Sequence, residues 1–153
     1  MTIYAYCDGA VKNNGKKGRL GMGSVLLDFR SNNAGQLELM NPRSYSWGLD
    51  YDPATNNLAE LLAIRNTIHV VEADPKLVYL CIRSDSEWAV KAINGVYRVS
   101  HHVELINEIL ELGAQFDIFQ VTWVRGHSGQ TWNSLANDLA QKQAGTWKGK
   151  THK

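Results

Sequence analysis

The sequence is poor in the residues that mark special protein classes. Only two of its 153 residues are cysteine and three are proline. A disulfide scaffold needs more cysteine, placed in loops, whereas Cys7 and Cys81 both sit inside apolar, strand-like stretches. They read as two reduced, buried thiols. Unbroken apolar runs stay about as short as Val78–Ile82, far below the roughly twenty residues that span a bilayer. The first residues, Met1-Thr2-Ile3-Tyr4, show no charged segment ahead of an apolar one, so no leader and no membrane partner are expected. The default location is cytoplasmic. Charge of one sign is lacking too: 16 Lys and Arg against 15 Asp and Glu leave a formal net charge of +1. Any electrostatic case for nucleic acid must therefore be local.

What is present is an ordinary globular composition, 44% hydrophobic and 20% charged, which excludes disordered and fibrous classes. The length suits one domain that buries roughly two-thirds of the surface of its unfolded chain. No repeat, linker or low-complexity segment divides it. We expect one domain over residues 1–145 and a flexible basic tail over 146–153, with Lys148, Lys150, His152 and Lys153.

Residue periodicity gives the order of elements. Thr2–Cys7 alternates as a strand, a polar loop follows over Lys12–Arg19, and Gly21–Phe29 reads as a second strand. Gln36–Leu49 is a third extended segment, interrupted at Asn41-Pro42. Apolar residues at Leu58, Leu61, Leu62 and Ile68 then mark an amphipathic helix, which Asp74-Pro75 stops. Val78–Ile82 is a buried strand, Trp88 to Ile93 a helix opened by Ser84-Asp85-Ser86, and Val103–Leu112 another helix. A last strand at Ile118–Val124 precedes a final helix from about Asn133. The order β-β-β-α-β-α-α-β-α predicts an α/β fold: a five-stranded mixed sheet flanked by helices.

Acidic residues fall at telling places. Asp8 closes the first strand, Glu60 lies in the first turn of the first helix, and Asp85 ends the fourth strand. Each has a plain structural reading as turn opener, favourable charge at a helix start, or cap. Together they point elsewhere, because the first and fourth strands should be neighbours. Converging carboxylates repel unless a cation sits between them, and hard oxygen donors suit Mg²⁺ or Mn²⁺.

Four blocks carry a resemblance. They are Tyr6-Cys7-Asp8-Gly9-Ala10, Thr55-Asn56-Asn57-Leu58-Ala59-Glu60, Ser84-Asp85-Ser86 and Trp123-Val124-Arg125-Gly126-His127-Ser128-Gly129. In this order they resemble the type 1 ribonuclease H family over roughly Thr2 to Gln143. The resemblance implies an endonuclease for the RNA strand of RNA–DNA hybrids, using two divalent metals, Mg²⁺ or Mn²⁺, and leaving 5′-phosphate products. It further implies that Asp8 bridges both metals and that Glu60 and Asp85 hold the one on the leaving-group side; a monomer is expected. His127, flanked by glycine, is either a plain loop histidine or, by resemblance, the mobile group that moves a proton or lets product leave.

The fourth acid departs from the family pattern. Aligning Asn133-Ser134-Leu135-Ala136-Asn137-Asp138-Leu139-Ala140 on the family's Asn-x-x-Ala-Asp-x-Leu-Ala puts Asn137 at that position. Asp138 is one residue late, about 100° around a helix. An amide offers one neutral oxygen where a carboxylate offers charge and two oxygens, so Asn137 should bind the attacking-side metal weakly and impair cleavage. Such a substitution suits an engineered trap or a naturally divergent member.

For the hybrid itself, resemblance gives Thr55 a phosphate of the DNA strand and gives Asn56 and Asn57 the minor groove. Asn13 or Asn14 is expected to join them, since telling RNA from DNA requires contact with the 2′-hydroxyl. Lys12, Lys16, Lys17 and Arg19 form a basic cluster that is either a solvated loop or a set of phosphate contacts. The basic protrusion of some members has no counterpart in Asn94–Ser100, which predicts weaker and more salt-sensitive binding. Trp88 is assigned to core or groove wall. The alternative to catalysis is an inactive hybrid-binding module. A transposition or integration domain of related fold is disfavoured by the Thr55 block and the His127 segment.

Overall fold

Two long strands decide the sheet. In a computed structural model that describes residues 1–126 and 131–149, β1 (Thr2–Lys12) and β2 (Lys16–Ser31) form an antiparallel hairpin with Lys12 opposite Arg19. The segment expected as a basic loop is thus mostly strand. Its turn is tight, with Asn13 at φ 63° and Gly15 at φ 82°. Asparagine and glycine tolerate this left-handed backbone better than other residues.

The third extended segment becomes two strands, so the sheet has six rather than the expected five. β3 (Leu37–Leu39) pairs with Phe29–Ser31 of β2, and β4 (Arg43–Ala54) pairs with Lys16–Leu26. Between them stands Pro42, which has no N–H to give to a ladder. β5 (Tyr79–Ser84) lies parallel to β1, with Cys7 opposite Ser84, and β6 (Ile118–Trp123) lies parallel to β5. The neighbour order is β3-β2-β1-β5-β6, with β4 also on β2.

Helices cover both faces. α1 (Asn56–His69), α2 (Glu87–Ile93) and α3 (Val103–Gly113) bury the main core, in which Ile3, Ala5 and Cys7 of β1 meet Leu61, Ile64 and Ile109. α4 (Thr131–Ala144) takes the other face, where Ala136 packs with Tyr6, Val25 and Leu27. A side chain at Gly21 or Gly23 of β2 would collide with the carbonyls of Ala140 and Ala136. These small residues let α4 lie close on the strand. Cys7 and Cys81 are buried and unpaired. Among the described residues no helix is long and apolar enough to cross a membrane.

Candidate active site

The carboxylates meet where the parallel pairing of β1 and β5 runs out. That pairing ends at Cys7 and Ser84, and each next residue is an aspartate, Asp8 and Asp85. Asp8 does not end its strand, as the sequence suggested; β1 continues four residues further along β2. Glu60 comes from α1, in its second turn rather than its first. Thr55 starts that helix, its Oγ1 accepting from Leu58 N at 3.2 Å. Ligand oxygens of Asp8, Glu60 and Asp85 all lie within 4.8 Å of one another.

Close packing makes the convergence possible. A Cβ on Gly9 would stand 2.5 Å from the Ala59 carbonyl carbon and 2.6 Å from Glu60 N. With glycine there, α1 approaches β1 and the Gly9 N–H donates to Glu60 Oε1. The same N–H lies 2.9 Å from Asp8 Oδ1. Asp85 is held from the other side: its carbonyl accepts from Trp123 Nε1 at 3.2 Å, and the Ser84 carbonyl accepts from Val124 N at 2.9 Å.

Two of these acids, Asp8 and Glu60, are costly to ionise. Asp8 and Glu60 are 5% and 8% exposed. Burial, with the nearby charge of Asp85 adding to it, pushes Asp8 from its ordinary 3.8 up to about 7. Glu60 is pushed well up by burial and then by the charge of Asp8. A divalent cation would offset both causes, and three hard oxygen donors at this separation fit one.

Asn137 completes the cleft from α4. Its Nδ2 donates to Asp8 Oδ2 at 2.8 Å. The cleft has a volume of about 290 Å³, and Gly9, Asn56, Asn57 and Ser86 line it beside the three acids and Asn137. A larger groove of about 880 Å³ adjoins it through the shared Asn57, with Thr55, Trp88, Tyr97, Arg98 and His102 among its walls. Trp88 is therefore both groove wall and a neighbour of the core. Asn13 and Asn14 do not line the cleft; they occupy the hairpin turn, which Gly15 N ties to Ala54 O at 2.6 Å, next to Thr55. His127 lies outside the described residues.

The RNase H family model matches residues 1–145. The chain belongs to the RNase H family. A curated relative, ribonuclease H of Saccharomyces cerevisiae, is 24% identical over 170 residues, covering 94% of this chain and 46% of that protein. The chain thus spans about half the length of that relative. Among solved structures, RNase H1 of the halophilic archaeon Halobacterium salinarum NRC-1 is similar, with a TM-score of 0.68 at 24% identity over 94% of this chain and 97% of that one. LC9-RNase H1, described as a type 1 RNase H with the type 2 active-site motif, gives a TM-score of 0.72 at 24% identity, covering 94% and 72%. LC11-RNase H1, solved in complex with an RNA/DNA hybrid, gives 0.63 at 22% identity, covering 92% and 97%. These structures share the fold.

Three contributors to this RNase H cleft, Gly9, Ser86 and Trp123, escape a reading based on carboxylates alone. Gly9 and Ser86 were visible only as members of the Asp8 and Asp85 blocks. The indole of Trp123 was visible in its block, but its partner, a backbone carbonyl, carries no sequence signal.

Proposed function

We propose that this RNase H-family chain, as one unit over residues 1–145, hydrolyses the RNA strand of RNA–DNA hybrids. The observation that carries this reading is the convergence of Asp8, Glu60 and Asp85 in an open cleft that runs into the Thr55–Asn57 groove. Mg²⁺ or Mn²⁺, two per site in the proposed mechanism, would make water nucleophilic near neutrality and offset charge gathering on the phosphate. Asp8, Glu60 and Asp85 are the proposed ligands. Gly9 N–H orients Glu60, and Asn137 orients Asp8. His127 is the proposed carrier of a proton or escort of product.

Thr55 can serve two purposes at once. Its oxygen accepts from Leu58 N, which leaves the hydroxyl hydrogen to donate to a phosphate of the DNA strand. Asn56 and Asn57, exposed at the cleft, supply amides for the minor groove and the 2′-hydroxyl, with Asn13 and Asn14 beside them on the hairpin. Only residues 94–102 separate α2 from α3, so a basic protrusion is not part of the proposed footprint.

Asn137 gives the second reading its footing. An amide that donates to Asp8 contributes no negative charge toward a second ion, so activity is expected to be low, and a hybrid-binding module without catalysis is the limiting case. The buried, unpaired thiols accord with a reducing setting, the cytoplasm, and a monomer is proposed. Incubation of an end-labelled hybrid with Mg²⁺ or Mn²⁺ tests the function. RNA fragments with 5′-phosphate and 3′-hydroxyl ends are expected, with duplex DNA left intact. Hybrid binding with no cleavage at any metal concentration would select the second reading.

A further inference from the structure

Beyond the hairpin, away from the carboxylates, lies a basic surface that the proposed hydrolysis does not use. Lys12, Lys16 and Lys17 are exposed on the hairpin. α4 ends above it: Arg19 Nε donates to the Gln143 carbonyl at 2.7 Å. The Lys12 side chain passes within 3.9 Å of where a Gly145 Cβ would be. After the helix the chain doubles back, with Thr146 N donating to Gln141 O at 2.9 Å. Lys142 Nζ then stands 4.4 Å from the centre of the Trp147 ring. Trp147 remains 38% exposed, and exposed Lys148 follows it.

Part of this cluster has a plain structural role. Cations at a helix C-terminus complement its dipole, and that accounts for the charge of Lys142 in the last turn of α4 and for Arg19, which also pairs with Asp50 at 3.0 Å. It does not account for a half-open tryptophan under a lysine, with a further lysine past the helix end. Nor does it account for Lys16 and Lys17 at the hairpin. On a chain of net charge +1 this is a local concentration of positive charge. The hairpin links it to the proposed hybrid groove, because Gly15 is hydrogen-bonded to Ala54 beside Thr55. Lys12 lies four residues past Asp8 on one strand, a distance of about 13 Å, or about four base pairs of rise along a duplex axis.

We propose that the end of α4 and the hairpin form a second contact surface for the sugar–phosphate backbone of the hybrid, a few nucleotides from the cleavage point. Lys142 and Lys148 meet phosphates there, and Trp147 holds Lys142 in place. This rests on the hybrid-cleaving reading.

The test measures binding in chelator, so that the hybrid stays intact, across a salt series with a hybrid of about 20 base pairs. For Lys142→Gln/Lys148→Gln, affinity should fall about tenfold and the slope of log affinity against log salt should flatten by nearly 2, at about 0.9 per lost phosphate contact. Lys76→Gln, at an exposed position by the end of β5 opposite Asp85, should change neither. Trp147→Ala should weaken the hybrid with a smaller change of slope, since no charge is removed. An unchanged slope in the double variant, or an equal change in Lys76→Gln, would overturn the second surface while leaving the cleavage reading standing. Failure of the unaltered protein both to bind the hybrid in chelator and to cleave it with Mg²⁺ would overturn both. Binding to vesicles of anionic phospholipid that the double substitution abolishes, with hybrid binding untouched, would reassign the surface to a membrane.

Discussion

The Asn137 amide donates a hydrogen bond to Asp8 across the cleft, Nδ2 to Oδ2, at 2.8 Å. It ties α4 to β1 where the expected family residue is an acid. In the metal-free protein an amide suits the site better than a carboxylate, because Asp8 is already pushed to about 7 by burial and by Asp85. With divalent metal bound, the preference should reverse.

Asn137→Asp should therefore move stability and activity in opposite directions. In chelator at neutral pH the variant should melt below the parent. With metal, half-maximal cleavage should need less Mg²⁺, by about 10–100-fold, the range in which changes around metal ligands act. A magnesium titration of cleavage checks this. Asp138→Asn should leave the metal dependence in place; if it abolishes cleavage instead, Asp138 is the fourth ligand.

The raised carboxyls make the metal-free fold pH-sensitive. Asp8 binds its proton more tightly folded than unfolded, so the stability this confers is complete below about pH 4 and is lost as pH rises toward 7. Glu60 shifts in the same direction. Melting temperature in chelator should fall from about pH 5 to about pH 8, and Mg²⁺ should flatten the fall. Asp8→Asn should raise the melting temperature at the alkaline end while abolishing cleavage. A variant less stable than the parent at pH 8 would contradict the burial argument.

Gly9→Ala should be costly out of proportion to one methyl. The new carbon would stand 2.5 Å from the Ala59 carbonyl carbon, and α1 must back away. We expect a loss of about 1–3 kcal/mol by chemical denaturation. Cleavage should fall further than the unfolded fraction explains, because Glu60 retreats with its helix.

Thr55 separates cap from contact. Thr55→Val removes the acceptor for Leu58 N and should cost about 1 kcal/mol of stability. It should also raise KM for the hybrid. Thr55→Ser should restore both. Restored stability with KM still raised would mean that the methyl, rather than the hydroxyl, faces the hybrid.

Periodicity established the run of strands and helices and motif order singled out the three acids, whereas Asn137 at the place of a fourth acid is what the family resemblance implies. Alternation in Thr2–Cys7 and the apolar spacing after Asn57 are local properties, written every second or every third to fourth residue. They hold wherever the segment is placed. What the tertiary structure decided is of another kind. Asp8 proved to be mid-strand because its partners are on β2, and hydrogen bonds between strands leave no mark in the sequence of either. The sixth strand arose because β3 and β4 both pair with β2, on either side of Pro42. Asn137 meets Asp8 only because Gly21 and Gly23 admit α4, a contact spanning more than a hundred residues. Trp147 came to lie under Lys142 through a backbone turn that composition presents as a tail. Side-chain periodicity is fixed by bonded geometry, whereas the distances that make a site are fixed by packing between segments remote in the chain.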